Sequence, residues 1–409
     1  MNSVATSYPK HKIKVLLLEG IHRRAQELFE SDGLSVEMLA GSLSEDELVE
    51  RLPDVHLLGI RSKTRLTPRA LDAGRRLIAV GCFCIGTNQV DLEHCRALGL
   101  PVYNSPFSNT RSVAELVICE IVALSRALAD RSKEMHDGTW SKRSAGSYEV
   151  RGKTLGIVGY GRIGRQVGVL AEAMGLGVSF FDVVQQLPMG NNKSLASLEA
   201  VLEVSDFVTL HVPETPETRG MIGRSELAHM KQGAYLLNLS RGNVVDLEAL
   251  ADALRGQLAG AAIDVFPEEP KSNGPGFVSP LLGLPNVIMT PHIGGSTVEA
   301  QEAIGREVAT SLLGFLNVGT TTGAVNFPEV DVRAQGGAHR ILNVHQNVPG
   351  VLSNINKIVS ELQANVERQV LATDPEIGYL VMDVDRDVSD PIHDQVARLG
   401  TSIKTRILY

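Results

Sequence analysis

The sequence predicts an α/β protein with two doubly wound parallel-sheet domains and a small β-α-β-β-α-β unit at its C-terminal end. Three observations predict it. The apolar run Leu155–Val158 opens directly into Gly159-x-Gly161-x-x-Gly164, helical spacing continues through Gln166, Val167, Leu170, Ala171 and Met174, and a second apolar run, Val178–Phe181, ends in Asp182. Strand-like and helix-like segments alternate through the first quarter of the chain, the mark of a parallel sheet. The final segment, beyond a Gly/Thr/Pro-rich linker, repeats strand and helix signals in the order of a split β-α-β fold. A chain of 409 residues has room for two or three such domains.

Taken in order, Ile13–Leu18 reads as a strand, Ala25–Phe29 as helix, Leu57–Ile60 and Leu77–Val80 as strands, with Ala70-Leu71 on a short helix between them. This part lacks a phosphate-binding glycine turn and is expected to hold substrate rather than cofactor. Ser112 and Glu115 have capping-box spacing, and Val113, Val117, Ile121, Leu124 and Leu128 follow at helical intervals. Further strands are expected at Phe207–Leu210, Ala234–Leu239, Gly260–Phe266 and Val287–Thr290, and an apolar-rich helix over residues 298–316 returns the chain to the first domain. The expected division is 1–109 with 295–330 as a discontinuous substrate-binding domain, 110–294 as the cofactor domain, 331–338 as a hinge and 339–409 as the terminal domain. In the last, strands are expected at Arg340–His345, Val366–Ala372, Gly378–Val384 and Thr401–Leu408, and helices at Val351–Leu362 and Pro391–Leu399.

Strand, glycine turn, helix, strand and acid together make a dinucleotide-binding (Rossmann) unit. The first glycine allows the tight turn, the second lets the backbone approach a pyrophosphate, and the third lets helix and strand pack closely. The helix start offers free N–H groups to the phosphates. Asp182 stands eighteen residues after Gly164, placed for a ribose diol, and its charge repels a 2′-phosphate, so NAD is the expected cofactor.

Hydride chemistry on a hydroxy acid needs a base, a cation for the carboxylate and a group that tunes the base. Arg241, Glu269 (or its neighbour Glu268) and His292 each follow a predicted strand of the cofactor sheet. Parallel strands end on one edge, where open α/β sheets bind ligands. Imidazole titrates near neutrality, so His292 can take and return the proton. A carboxylate can hold its other nitrogen and favour the protonated ring. The planar fork of Arg241 matches a carboxylate. Singly, each residue could equally be an ordinary surface or loop residue; their convergence carries the reading.

Composition bounds the partners. A net charge of −8 argues against nucleic acid or an anionic membrane surface. The longest apolar stretch, Val113–Leu128, is interrupted by Glu115, Glu120 and Arg126, and the first twelve residues lack a signal-peptide core. Four cysteines make no disulfide framework, and Cys82 and Cys84 have no second pair at zinc spacing, so no metal site, reduced thiols and a cytoplasmic location are expected.

The segments Gly159–Gly164 with Asp182, Asn238–Gly242, Ala262–Pro270 and Thr290–Gly295 together resemble the D-2-hydroxyacid dehydrogenases, over nearly the whole chain. The resemblance implies that Arg241, Glu269 rather than Glu268, and His292 are the catalytic set. It implies cofactor contacts from Gly159, Gly161, Arg162, Ile163, Gly164, Asp182, Leu239, Ser240, Arg241, Asp264, His292, Ile293, Gly294 and Gly295, with Asp264 receiving the nicotinamide carboxamide. Within the family it is closest to members that oxidise 3-phospho-D-glycerate with NAD at the entry to L-serine synthesis. That implies substrate contacts from Arg61, Ser62, Lys63 and Asn109, and from Lys142 offered by a neighbouring subunit; Lys63 and Lys142 also read as solvated surface cations. The terminal unit resembles an ACT domain, which implies L-serine as a feedback effector bound by His345, Asn347 and Asn365, and a homo-oligomer, a tetramer by resemblance. The Gly336–Arg340 segment is one residue longer than the usual hinge. Reduction of another 2-keto acid, such as 2-oxoglutarate, glyoxylate or hydroxypyruvate, and a non-catalytic NADH-sensing scaffold are the alternatives.

Overall fold

The computed structural model describes residues 7–270, 273–333 and 337–409. The chain divides into two compact units, one running up to Ser108 and resuming over Gln301–Tyr409, the other Asn109–Ala300.

In the first unit, β1 (Lys14–Leu17), β2 (Ser35–Met38), β3 (Leu57–Ile60), β4 (Ala79–Cys82) and β5 (Val102–Tyr103) form a parallel sheet in the order β2-β1-β3-β4-β5. β3 and β4 are buried on both faces, as their unbroken apolar sequence requires. Edge strand β2 alternates exposed and half-buried and so lacks the apolar run that marks β1 and β3 in the sequence. The helix Val298–Asn317 sends Ile304, Val308, Leu312 and Phe315 into the core beside Leu17 and Phe83. It packs so close to β4 that a Cβ at Gly81 would lie 2.7 Å from the Val308 side chain.

The same unit carries the terminal sheet. Here β13 (His339–Gln346), β14 (Val366–Thr373), β15 (Ile377–Val384) and β16 (Ser402–Leu408) pair antiparallel in the order β14-β15-β13-β16. The helices Val351–Glu361 and Ser389–Ala397 bury Ile355, Ile358, Ile392 and Val396 against one face. The other face does not stay open: Val344, Tyr379 and Val381 join the core that contains Phe315 and Phe327. The Tyr379 hydroxyl donates to the Gly319 carbonyl at 2.6 Å just beyond the long helix. Of the hinge expected over 331–338, residues 334–336, Gly336 among them, lie outside the described residues; Gly337 adopts φ +106°.

The second unit is a seven-stranded parallel sheet of β6 (Thr154–Val158), β7 (Gly177–Phe181), β8 (Lys193–Ser194), β9 (Phe207–Leu210), β10 (Tyr235–Asn238), β11 (Gly260–Ile263) and β12 (Val287–Met289). The order β12-β11-β10-β9-β6-β7-β8 reverses direction between β6 and β9, which opens a crevice at the C-terminal ends of those strands. The helices Thr110–Ser125 and Arg162–Ala173 cover one face through Val113, Val117, Ile121, Val167 and Ala171.

Two local expectations are corrected. Ser112 does not cap its helix: the helix starts at Thr110, with Asn109 at the N-cap and no side-chain cap. The Ser112 hydroxyl is instead bonded to Thr297 at 2.7 Å, and Glu115 pairs with Arg111. The strand expected to reach Phe266 ends at Ile263, where its neighbours β10 and β12 also run out of partners. No described helix is long and apolar enough to cross a membrane, and the described residues contain no cluster of three potential metal ligands.

Candidate active site

The glycine turn after β6 shows why each glycine is there. Gly159 has φ +89°, and a Cβ on it would lie 2.4 Å from the His211 carbonyl oxygen. A Cβ on Gly164 would lie 2.3 Å from the Gly159 carbonyl, so helix and turn touch backbone to backbone. Gly161 faces open space, with nothing within 4 Å of a Cβ. It is also the N-cap of the helix Arg162–Ala173 and, as glycine, has no side chain to lie between the helix start and that space. Arg162 is exposed and Ile163 half-buried at the helix start. Asp182 follows β7; one carboxylate oxygen accepts from the Tyr160 N–H at 2.7 Å, the other from the Val184 N–H at 2.9 Å. Each oxygen keeps a second lone pair for a ribose hydroxyl. A backbone-walled opening, an uncapped helix start and an acid at the end of the next strand fit a dinucleotide.

Beyond β10, Asn238 organises the next segment. Its side-chain oxygen accepts from the Ser240 N–H and hydroxyl at 3.1 and 2.8 Å, and its amide donates to the Arg241 carbonyl at 2.9 Å. Leu239 and Ser240 are buried, and the half-buried Arg241 spends one guanidinium N–H on the Ser240 carbonyl at 2.7 Å. Gly242 passes directly under the Phe266 carbonyl carbon, 2.0 Å from where its Cβ would be.

Asp264, 1% exposed, holds the histidine loop. Its carboxylate accepts from the Thr290 hydroxyl at 2.6 Å and from the N–H groups of Ile293 and Gly294 at 2.8 Å each, while its carbonyl accepts from the His292 N–H at 2.8 Å. These bonds hold His292 at φ +55°, a left-handed conformation few non-glycine residues adopt. Gly295 presses on Asn109, whose amide nitrogen would be 2.2 Å from a Cβ there.

The imidazole Nδ1 of His292 lies 2.9 Å from the Glu269 carboxylate, whose other oxygen accepts from the Phe266 N–H at 3.3 Å. The hydrogen bond to Glu269 raises the His292 pKa, against desolvation, with the charges of Glu269 and Asp264 adding and Arg241 opposing. Burial alone would push Glu269 up; the hydrogen bond and charge of His292, the Phe266 N–H and Arg241 outweigh it and lower its pKa. Arg241 therefore bears on both partners. With Nδ1 engaged, Nε2 is the nitrogen left for substrate. The ring lines a cavity of about 530 Å³ with Glu269, Phe266, Phe277, Met289 and Thr290. Arg241, Glu269 and His292 thus converge at the C-terminal edge of one sheet, and it is Glu269, not Glu268, that meets the histidine.

The remaining expected residues are placed as follows. Arg61, Ser62 and Lys63 follow β3 in the first unit, and the Glu19 carboxylate fixes them by accepting from the N–H groups of Arg61, Lys63 and Thr64 at 3.1, 2.9 and 2.8 Å. Asn109 is buried in the second unit and its side-chain oxygen has no partner. Lys142 is exposed in a loop with Trp140, itself 79% exposed. His345 is buried with Nδ1 3.0 Å from the Asn343 oxygen, and Asn347 donates to the Asp374 carbonyl at 2.6 Å. These two share one end of the terminal sheet, where His345 pairs with Gly378. Asn365 stands at the other end, its N–H bonded to Asp385 and its neighbour Val366 opposite Val384. One chain does not bring the three together.

Sequence reading passed over Glu19, Asn238 and Glu120. The first two act by holding loop backbone, and a single polar residue at a strand end gives no periodic signal. Glu120 is 2% exposed on the helix Thr110–Ser125, and neither carboxylate oxygen has a partner. Burial, with the charge of Asp264 adding, pushes its pKa up to about 8. A folded-state pKa above the unfolded value of 4.5 gives stability that is complete below pH 4.5 and lost as pH rises through 8. Glu120→Gln is expected to match the parent near the acid end and exceed it at alkaline pH by on the order of a few kcal/mol, read from denaturant midpoints across that window; a constant difference at every pH would contradict a neutral buried acid.

Comparison with known proteins agrees with this geometry. The profile of the D-isomer specific 2-hydroxyacid dehydrogenase NAD binding domain matches residues 118–294, and that of an AHAS small subunit-like ACT domain matches 341–404. D-3-phosphoglycerate dehydrogenase of Dictyostelium discoideum is 55% identical over 405 residues, covering 99% of each chain. The Escherichia coli K12 enzyme of the same name is 49% identical over 98% of this chain and 99% of its own. Among solved structures, D-lactate dehydrogenase from Aquifex aeolicus complexed with NAD and lactic acid aligns with TM-score 0.66 at 29% identity, over 77% of this chain and all of that one. A protein from Thermus thermophilus aligns with TM-score 0.69 at 34% identity, over 74% and 97%. The fold and site define an NAD-dependent dehydrogenase of hydroxy acids. The chain belongs to the D-3-phosphoglycerate dehydrogenase group of the D-isomer specific 2-hydroxyacid dehydrogenase family, and its terminal sheet is an ACT domain.

Proposed function

We propose that this chain oxidises 3-phospho-D-glycerate to 3-phosphohydroxypyruvate with NAD, the first step of L-serine synthesis, and is inhibited by L-serine. The observation that carries the catalytic part is the His292–Glu269 hydrogen bond of 2.9 Å on the sheet edge that also bears Arg241 and the glycine turn. NAD, when bound, supplies the acceptor for the hydride that leaves C2 of the substrate. Gly159–Gly164 and Asp182 hold the cofactor's pyrophosphate and ribose, with Leu239, Ser240, Asp264 and His292–Gly295 lining the nicotinamide end. Nε2 of His292 takes the C2 hydroxyl proton as the alcohol becomes a ketone. Glu269 keeps the ring oriented and stabilises its protonated form. Arg241 pairs with the substrate carboxylate and polarises the adjacent oxygen. Asp264 acts at one remove, since the bonds described above fix the loop that carries His292.

Arg61, Ser62, Lys63 and Asn109 are the proposed substrate contacts, with Lys142 of a neighbouring subunit. Lys63 is an exposed cation on a loop pinned by Glu19, so charge is presented there at a fixed backbone position. For the effector, the outer edge of β14 has no partner strand among the described residues. Antiparallel pairing of β14 with a second copy would set Asn365, at the strand's start, against the other copy's strand end, where Asp374 holds Asn347. Serine would then sit between His345 and Asn347 of one copy and Asn365 of the other. We infer a homo-oligomer that uses this edge, and propose that it is a cytoplasmic tetramer with a second contact.

The test is kcat/KM for 3-phosphoglycerate against D-glycerate, in the parent and in Lys63→Ala, with and without millimolar serine. A strong phosphate preference that falls in the variant, and inhibition by serine, are expected. No phosphate preference would favour the reductase of another 2-keto acid, and NADH binding without turnover would favour a sensor. Equal rates with and without serine in the assembled enzyme would remove the feedback part alone.

A further inference from the structure

The terminal strand β16 carries two cations that the dehydrogenase reaction does not use. Lys404 and Arg406 alternate along it and so point to one face. They line a cavity of about 540 Å³ that lies against the N-terminal ends of β1, β3 and β4, the opposite edge of the first sheet from Arg61–Lys63. Arg75, Arg76, His56 and Lys10 stand on its other wall, and among the described residues no aspartate or glutamate side chain lines it.

The charges here are unequal in their satisfaction. Arg340 is saturated: it grips Asp383 at 2.6 and 2.8 Å and donates to the carbonyls of Val318 and Arg333. Lys10 pairs with Asp32 at 2.8 Å, and Arg76 reaches Asp54 at 3.5 Å. Lys404 and Arg406 have no such partner among the described residues. The Lys404 ammonium donates to the Leu77 carbonyl, and Arg406 donates one N–H to the Leu316 carbonyl at 3.0 Å, its guanidinium 5.1 Å from the Phe315 ring centre. The Arg406 Nη1 is buried with no hydrogen-bond partner at all. Desolvation lowers the Lys404 amine to about 8 and the Arg406 guanidinium to about 10. Arg75 also pairs with no carboxylate among the described residues. His56 accepts the Lys14 N–H on Nδ1 at 3.1 Å, so in its neutral form it carries its proton on Nε2 as a donor.

Two half-buried cations without a carboxylate partner, one with a fully buried nitrogen, facing the exposed Arg75 across one cavity, are an arrangement an anion resolves. The helix Val298–Asn317 explains one bond of Arg406, to a terminal carbonyl, but leaves Nη1 unaccounted for. We propose that this cavity is a binding site for a small phosphomonoester, whose phosphate is held by Lys404, Arg406 and Arg75. Its organic part lies on the apolar wall of Ile13, Leu77 and Leu408. The ligand joins β16 of the ACT domain to the loop before β4, so it stabilises that contact.

The experiment is thermal unfolding and calorimetric titration of the full-length protein with inorganic phosphate and with glycerol 2-phosphate, against chloride at equal ionic strength. Both phosphates are expected to raise the unfolding temperature, glycerol 2-phosphate more. Lys404→Met and Arg406→Gln are each expected to weaken binding by about tenfold or more, the loss of one charge-assisted hydrogen bond. Arg75→Ala, an exposed change that leaves the core intact, covers the case in which either of those variants fails to fold, and is expected to weaken binding in the same sense. Lys63→Ala, which removes the cation on which the phosphate preference of the proposed reaction is tested, is expected to leave the effect in place, which separates it from phosphate binding at the active site. Equal affinity for the two phosphates would keep the anion site and overturn the organic ligand. No phosphate-specific stabilisation of the parent, or the same affinity in the parent and Arg75→Ala, would overturn the site. None of these readings depends on turnover, so they stand or fall apart from the proposed reaction.

Discussion

His292→Asn is expected to lower kcat by about 10²–10⁴ in both directions while leaving NADH affinity within a few-fold. The choice of asparagine matters. His292 sits at φ +55°, held there by Asp264, and asparagine is among the residues that tolerate this conformation. The substitution therefore keeps the turn, and its amide can still donate to Glu269, but no atom can exchange a proton near neutral pH. A rate loss then reports the missing base rather than a displaced loop. NADH fluorescence titration and steady-state kinetics on the same preparation make the distinction. A loss of cofactor binding in parallel with kcat would mean that the loop had moved, and unchanged turnover would remove His292 from the reaction.

The legibility of this site follows from how its parts are encoded. The glycine turn could be read because backbone geometry leaves little choice of residue: Gly159 needs positive φ, and Gly164 has a carbonyl where its Cβ would stand. Arg241, Glu269 and His292 could be brought together from sequence because each follows a strand of one parallel sheet, and parallel strands share an edge. The terminal strands were legible through the order of strand-like and helix-like segments, and β13–β16 fall within two residues of expectation. What escaped was encoded by contact instead of period. β5 is only two residues long, and β2, an edge strand, has no unbroken apolar run to mark it. Ser112 has the spacing of a cap but finds Thr297, nearly two hundred residues away in the chain, closer to hand. The role of Asp264 as the anchor of residues 290–294 depends on a loop crossing that no local pattern announces. Asn365 is the sharpest case: sequence places it in a set with His345 and Asn347, while the single chain puts it at the far end of the sheet.

Glu269→Gln is expected to cost up to about 10⁴ in kcat, the loss seen when the carboxylate that orients a catalytic imidazole is replaced by its amide. The pH dependence separates its electrostatic role from simple disruption. In the native pair the hydrogen bond to Glu269 raises the His292 pKa, and the Glu269 pKa is lowered. The charged pair is therefore fully present between the ordinary values of 4.5 for the acid and 6.5 for the imidazole. It is lost on the acid side as pH falls through the lowered Glu269 value, and on the alkaline side as pH rises through the raised His292 value. Oxidation needs the neutral ring, so its rate rises with pH through the His292 pKa; reduction needs the protonated ring and falls over the same interval. Removing the carboxylate takes away the largest upward contribution and leaves burial and Arg241 pulling down against Asp264 alone. Both limbs should therefore move to lower pH in Glu269→Gln, and above neutrality reduction should lose more than oxidation, because it is the protonated ring that becomes scarce. A variant that is slower in both directions with its limbs where they were would show that Glu269 supports the loop without setting the charge of His292. Limbs that move down together would tie the pH dependence of the reaction to a single hydrogen bond of 2.9 Å between two residues twenty-three apart in the chain.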